Sequence, residues 1–334
     1  MPLPVLLPEP LAPFGERLEA LAAALGLDAQ AREDLWASLD RPPPLALWAN
    51  PLRADPVETL QALERAGFRL SRPATHLPAK GEHRLMRLAA TLPAQERARL
   101  THHPLVGQGR VYVQGLSSQW AVWALDPKPG EAVLDLAAAP GSKTALMAAA
   151  MADTGLIAAV EPVRARFFKL KANLERCGVT CARLYLADGR AVGAKTPARF
   201  ERVLLDAPCS SETRIRLADP DTWRHWRLRK VYEVAHKQQA LIASAWQALR
   251  PGGVLLYSTC SYAPEENEAV VAGLLERHPE AEILPIAPRP PAGVPGLTAW
   301  AGRSFPADLR QTMRILPQPP FTGFYLALLR KRAG

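Results

Sequence analysis

Two short apolar runs, RVLLDAPCSSE at 202–212 and VLLYSTCS at 254–261, each end in a polar cluster holding one cysteine. Such a run, closed by turn chemistry, reads as a strand buried on both faces. In an open parallel sheet the ligand site lies beyond the carboxyl ends of the strands, so Asp206, Cys209 and Cys260 are expected on one rim. A thiolate with a carboxyl group beside it can add to carbon 6 of a pyrimidine, which makes carbon 5 nucleophilic. Nearby positive charge must hold the thiol pKa down, and a base must then take the carbon-5 proton. Asp206, Cys209 and Cys260 match that list of parts. The alternative for either cysteine taken alone is a buried, inert side chain.

A third run, AVLDL at 132–136, leads into AAAPGSKT at 137–144 and then a helix. Small residues and Gly141 let the backbone approach a ligand, and a helix N-terminus offers free N–H groups. The pattern is neither G-x-G-x-x-G nor a complete P-loop. Glu161 follows the next strand and can accept from ribose hydroxyls, and Asp188 after the third can meet an adenine amino group. Together they fit S-adenosyl-L-methionine better than a dinucleotide, although each acid alone could be a helix cap.

The elements that must carry these residues alternate after about residue 111 as in a parallel sheet. Strands are expected at 132–136, 156–160, 182–186, 202–206 and 253–257, with 323–329 as an added edge strand. Helices are expected at 141–152, 164–176, 226–249 and 264–277. Ahead of them, five prolines in residues 1–13 suggest an extended arm, followed by helices at 14–25 and 29–39. A strand at 45–50, a helix capped by Asp55, Pro56 and Glu58, and a returning strand at 68–72 make a small β-α-β module. The expected division is an N-terminal accessory domain, 1–110, and a catalytic domain, 111–334. His76, His83, His102 and His103 read as surface or packing residues.

The chain has 334 residues, 48% of them hydrophobic, and a net charge of +9, which suits an ordinary globular protein with a polyanionic partner. Four scattered cysteines make no disulfide framework, and the Cys177/Cys181 pair lacks companions at zinc spacing, so no metal is expected. No run reaches membrane length and no charged n-region opens the chain, so a cytoplasmic protein without membrane contact is expected.

The chain resembles the RsmB/Nop/Sun family of RNA cytosine-5 methyltransferases. The resemblance rests on VQGLSSQ (113–119), DLAAAPGSKT (135–144), EPVRARFFKLKANLERCG (161–178), DAPCSS (206–211), LRPGGVLLYSTCSYAPEENE (249–268) and MRILPQPPFTGFYLALL (313–329), and more weakly on 45–70. It implies a Rossmann-like class I methyltransferase domain, with a mostly parallel seven-stranded sheet, beside a smaller α+β domain. It implies Cys260 as nucleophile, Cys209 as assistant in proton removal and release, Asp206 as holder of the base, and Lys143 at the rim between cofactor, base and phosphate. Ala137, Ala138, Ala139, Pro140, Gly141, Ser142, Lys143, Glu161, Arg166, Asp188 and Asp206 would bind S-adenosyl-L-methionine. The chain departs from the family at Ala137 and Ser142, at Ser211-Glu212-Thr213 where G-x-G is common, and at Gln318 and Thr322.

RHWRLRK at 224–230 is a candidate RNA contact, with Arg224, Arg227, Arg229 and Lys230 for phosphate and Trp226 for stacking. A solvated helix face is its alternative. The reading is a monomeric methyltransferase acting on carbon 5 of cytosine in RNA, ribosomal rather than transfer RNA because many bacterial relatives act there. Two other classes compete: an enzyme with Cys209 as nucleophile, as in DNA cytosine-5 methyltransferases, and a catalytically idle RNA-binding assembly factor.

Overall fold

The computed structural model describes residues 7–73, 84–287 and 289–333; the first six residues of the expected arm, His76 and His83 lie outside them. Where an extended arm is expected, residues 9–11 form a 3-10 turn that runs into α1 (Ala12–Ala24). Pro10 and Pro13 occupy first-turn positions, where the missing N–H costs nothing. Buried Leu11 joins Phe14, Leu18 and Leu21 on one face. α2 (Ala29–Ala37) follows, capped by Asp28, whose side chain accepts from Ala31 N. These two helices pack on Ile215, Tyr262 and Leu297, far along the chain.

β1 (Leu45–Ala49) is followed by α3 (Pro56–Arg65), with Asp55 accepting from Glu58 N. The returning strand expected at 68–72 does not form; Ser71 alone bridges to Thr91. Gly67, at φ +82, turns the chain so that Phe68 sinks among Leu63, Leu100 and Leu105. β2 (Ala89–Leu92) pairs with β1 instead. Two short helices, α4 (Arg97–Thr101) and α5 (Pro104–Gly107), lead to β3 (Val111–Val113). The sheet order is β2-β1-β3, all antiparallel, so the strand just past the expected boundary completes the small sheet. His103 caps α5 and His102 bonds to Ala98 O, both local structural roles.

The larger unit runs α6 (Leu116–Leu125), β4 (Ala132–Asp135), α7 (Ser142–Ala150), β5 (Leu156–Val160), α8 (Arg164–Cys177), β6 (Ala182–Tyr185) and α9 (Val192–Lys195). It continues with β7 (Phe200–Asp206), α10 (Leu228–Ala248), β8 (Leu249–Thr259), α11 (Glu268–Arg277) and β9 (Ala281–Leu284). β10 (Gly293–Pro295), the hairpin β11 (Ala299–Trp300) and β12 (Arg303–Ser304), β13 (Met313–Ile315) and β14 (Phe324–Lys331) complete it. The sheet is Rossmann-like, as expected: β6-β5-β4-β7-β8 are parallel, and β14 adds antiparallel to β8. It has nine strands among the described residues rather than seven, because the other edge of β14 pairs with β9 along one half and with β13, itself paired to β10, along the other.

Both sheet faces are covered, which explains the continuous apolar runs. Val133, Leu204 and Leu256 face α6, α7 and α8. Their neighbours Leu134, Val203, Leu205 and Leu255 face α10 and α11. The chain leaves β4 outward to β5 and β6, then returns to β7 on the other side. The carboxyl ends of β4 and β7 therefore form the switch point where such sheets hold ligands. No helix among the described residues is long and apolar enough to cross a membrane.

The small unit is tied to the C-terminus of α8. Buried Asn50 donates from Nδ2 to Gly109 O at 2.9 Å and Cys177 O at 2.8 Å, and Arg53 donates to the carbonyls of Glu175 and Arg176. Gly109 sits so close that a Cβ there would lie 2.0 Å from Arg176 O. Asn50→Ala strands two buried carbonyls and is expected to cost about 2 kcal/mol. A lowered urea midpoint at unchanged slope checks this; an unchanged midpoint refutes the anchoring role.

Candidate active site

The parallel register of β7 and β8 sets Asp206 opposite Ser258. The Ser258 hydroxyl donates to Asp206 Oδ1 at 2.8 Å, and Lys143, in the first turn of α7, donates from Nζ to Oδ2 at 2.6 Å. Lys143 is nearly buried, so its ammonium needs that carboxylate. Just past these partners stand Cys209 and Cys260, with their sulfurs 3.2 Å apart.

That contact makes the two thiols unequal. The bond from Cys209 draws the Cys260 thiol down to about 7 against the effect of burial, and the exposed Arg214 guanidinium assists. Cys209 moves well above the ordinary thiol range, first through its bond to Cys260 and then through burial. One sulfur is set to be an anion while its neighbour keeps a proton, the division of labour that a nucleophile and a proton-handling partner require.

Residues 211–213, the departure noted above, all face the Cys260 turn. Ser211 adopts a left-handed φ of +62, which glycine takes easily and serine does not. Its hydroxyl lies 3.7 Å from Cys260 Sγ and 3.9 Å from Cys209 Sγ. Buried Glu212, pushed up to about 7 by burial and then by the charge of Glu266, accepts from Trp226 Nε1 and Tyr262 N and lies 3.1 Å from Ser261 Oγ. Thr213 Oγ1 donates to Cys260 O at 3.1 Å. Thr322, another departure, is held to Ser117 Oγ through its backbone.

Acids end four adjacent strands: Asp135 on β4, Glu161 after β5, Asp188 after β6 and Asp206 on β7. Such a row suits a ligand that brings cationic centres and hydroxyl donors, and opposes a pyrophosphate. Gly141 has φ +102, which side chains rarely adopt, and a Cβ there would press on Leu170 Cδ1 at 2.9 Å; the loop is seated directly on α8. Arg166 donates to Ala139 O and stands 3.6 Å from Glu161 Oε2. Glu161 is buried, with Oε1 accepting from Val163 N. These groups fit S-adenosylmethionine.

A cleft of about 860 Å³ brings Ala137–Pro140, Ser142, Lys143, Arg166 and Asp206 together with both cysteines. Gly141, Glu161 and Asp188 do not line it. Asp188 caps the 189–191 turn and is gripped by Arg190, whose bonds hold its carboxyl below the ordinary range. The 224–230 stretch does not line the cleft either. Its Trp226 ring is engaged by Glu212 and, edge-on at 5.5 Å, by Phe14. Arg224 pairs with Asp221 and Arg229 with Glu233, while Arg227 and Lys230 are exposed.

The cleft's other wall holds residues that the sequence reading missed. Arg214, Arg216 and, from the small unit, Arg97, Tyr112 and Gln114 line it. So does Asp135, buried, bonded to Thr144 Oγ1 and pushed up to about 7 by burial. Its place as the last residue of an apolar run is the signal that could have marked it.

A family model described as 16S rRNA methyltransferase RsmB/F matches residues 122–330. The chain is 44% identical over 227 residues to the tRNA (cytosine(49)-C(5))-methyltransferase of Pyrococcus abyssi, covering 67% of this chain and 71% of that protein. It is 43% identical over 231 residues to the ribosomal RNA small subunit methyltransferase F of Klebsiella pneumoniae, 68% of this chain but only 46% of that relative's length. In three dimensions it resembles a methyltransferase homolog protein from Pyrococcus horikoshii, with a TM-score of 0.74 at 28% identity over 94% of this chain and 99% of the other.

The inequality of the thiols is open to test without any substrate. A lowered thiol pKa means that the thiolate is present above that pKa and lost below it. Iodoacetamide labelling of Cys260, followed by peptide mass spectrometry, is expected to rise through a midpoint at about 7, with Cys209 lagging at every pH up to that of an ordinary thiol. Arg214→Ala should move the Cys260 midpoint upward. Equal labelling of the two cysteines would contradict the assignment.

Proposed function

The chain belongs to the RsmB/F family of S-adenosylmethionine-dependent RNA methyltransferases, and we propose that it methylates carbon 5 of a cytosine in RNA through a covalent adduct on Cys260. The observation that carries this reading is the sulfur pair, 3.2 Å apart, beside a carboxylate already gripped by Lys143 and Ser258. The bound S-adenosylmethionine supplies an electrophilic methyl group. The 137–143 loop, Glu161, Arg166 and Asp188 would hold it.

The Cys260 thiolate adds to carbon 6 while the Asp206 carboxylate, at the rim, holds the base by accepting from its exocyclic amine, and the Lys143 ammonium bonded to Asp206 supplies the positive charge that offsets the negative charge moving into the ring. After carbon 5 has been methylated, its proton must leave. Once bonded to carbon 6, Cys260 no longer carries the charge that kept Cys209 protonated, so Cys209 gives up its own proton to solvent and, as a thiolate beside the adduct, takes the carbon-5 proton. Loss of the proton restores the double bond between carbons 5 and 6 and expels Cys260 as thiolate. Arg97, Arg214 and Arg216 around the cleft suit the phosphates flanking an unpaired cytosine.

Small-subunit ribosomal RNA is the substrate we favour, from the family description. Transfer RNA is the second reading, because the archaeal relative at 44% identity is named for a tRNA position.

Wild type, Cys209→Ala and Cys260→Ala, each incubated with S-adenosylmethionine and either 16S rRNA or tRNA, separate these readings on a denaturing gel. A retarded protein–RNA band is expected to accumulate in Cys209→Ala, where release is blocked, and to be absent from Cys260→Ala. The RNA that supports the band names the substrate class. A band in Cys260→Ala instead would move the nucleophile to Cys209, and no adduct or methyl transfer with either RNA would leave an idle RNA-binding protein.

A further inference from the structure

Each reactive cysteine is followed by a serine, and the two Cys-Ser pairs are stapled together from beneath. Ser210 Oγ and Ser261 Oγ lie 2.9 Å apart. Under them is Glu266, fully buried. Its Oε2 accepts the backbone N–H of Ser210 at 2.9 Å, and its Oε1 accepts the Ser261 hydroxyl at 2.8 Å. Gln238, also fully buried, donates to Glu266 Oε2 at 2.9 Å and to Pro208 O at 2.8 Å. The peptide groups on both sides of Cys209 are therefore held by one carboxylate–amide pair, and that carboxylate also holds the residue after Cys260. Asn267 completes the second loop, accepting from Thr259 Oγ1 at 2.6 Å and donating to Ser261 O at 2.9 Å.

We propose that Glu266 is a positioning residue that sets the working distance between Cys209 and Cys260. The proposal rests on the reading of these cysteines as nucleophile and proton-handling partner. A buried carboxylate left without its donors is costly, so the stable arrangement is the one in which Ser210 and Ser261 both reach it. Bringing those two residues onto one group fixes the separation of the cysteines that precede them. The charge works in the same direction as the geometry. Cys209 is kept protonated chiefly by its bond to Cys260 and by burial, and the Glu266 carboxylate adds to this. Glu212 flanks Ser261 on the other side, its Oε2 lying 3.1 Å from Ser261 Oγ.

The test uses the full chain and phenylarsine oxide, an arsenical that bridges two thiols only when they are close together. Capture across Cys209 and Cys260 is read by peptide mass spectrometry, which separates it from any capture at Cys177 and Cys181. Glu266→Ala is expected to slow that capture by about tenfold or more, and Glu266→Gln, which keeps an acceptor for Ser210 N and a partner for Ser261 Oγ, by about threefold at most. Binding of S-adenosylmethionine should stay at the wild-type level in both. With the substrate RNA, kcat should fall in the same order while KM changes by less than about twofold.

Should Glu266→Ala fail to fold, Ser210→Ala, which removes the serine–serine contact and the hydroxyl's interaction with Glu266 but keeps the Ser210 N–H bond, is expected to slow capture to a smaller extent. Capture at wild-type speed in the alanine variants, or equal loss of kcat and KM in both Glu266 variants, would overturn the proposal. If capture follows the expected order but even the wild type methylates no RNA, the positioning role stands and the methyltransferase reading falls.

Discussion

The side-by-side pairing of β7 and β8, with Asp206 against Ser258, is the constraint on which the rest of the site depends. Side chains alternate along a strand, so a slip of one residue would turn Asp206 toward the opposite face and carry its loop out of line with the other. The register is protected by burial: Val203, Leu204 and Leu205 on one strand and Leu255, Leu256 and Tyr257 on the other alternate between two separate apolar layers. Any slip would exchange these layers. The serine–aspartate–lysine chain at the strand ends adds a polar lock to the apolar one.

Beyond the strand ends the apolar layers stop, and buried polar groups take over the work of holding shape. Glu212, Glu266, Gln238 and Asn267 all lie beneath the two cysteine loops, each with several partners. Such a network holds its geometry because moving any member takes partners away from a buried charge or amide. It also separates two chemically identical side chains. Cys260 has an arginine on its exposed side, whereas Cys209 has a buried carboxylate nearby.

Much of this was legible in the residues. Strands buried on both faces announce themselves as apolar runs, and the cysteines stand at the ends of two of them. The Asp55-Pro56-Glu58 cap marked α3 correctly. Less legible was anything decided by long-range contact. The strand expected at 68–72 was lost because Phe68 had a deeper place among Leu63 and Leu100. The prolines at 10 and 13 suggested an extended arm, yet both are compatible with a first helical turn when Leu11 and Phe14 have a core to enter. Trp226 among arginines read as a stacking platform, but its partner Glu212 lies fourteen residues away in the chain. Arg97 and Tyr112 reached the cleft only through the folding of the small sheet, and no local pattern records that.

α8 has a consequence of a different kind. Its first turn reaches the 137–143 loop through Arg166 and Ala139 O, and its last turn carries the small unit through Asn50 and Arg53. The helix is therefore a strut about 21 Å long, at 1.5 Å per residue. One wall of the cleft, Tyr112 and Gln114, hangs from one end of it, and the floor rests against the other. Adding or removing one residue would move the wall by about 1.5 Å and swing it by about 100°. Through α8, the spacing between this wall and the 137–143 loop is thus set in whole helical residues.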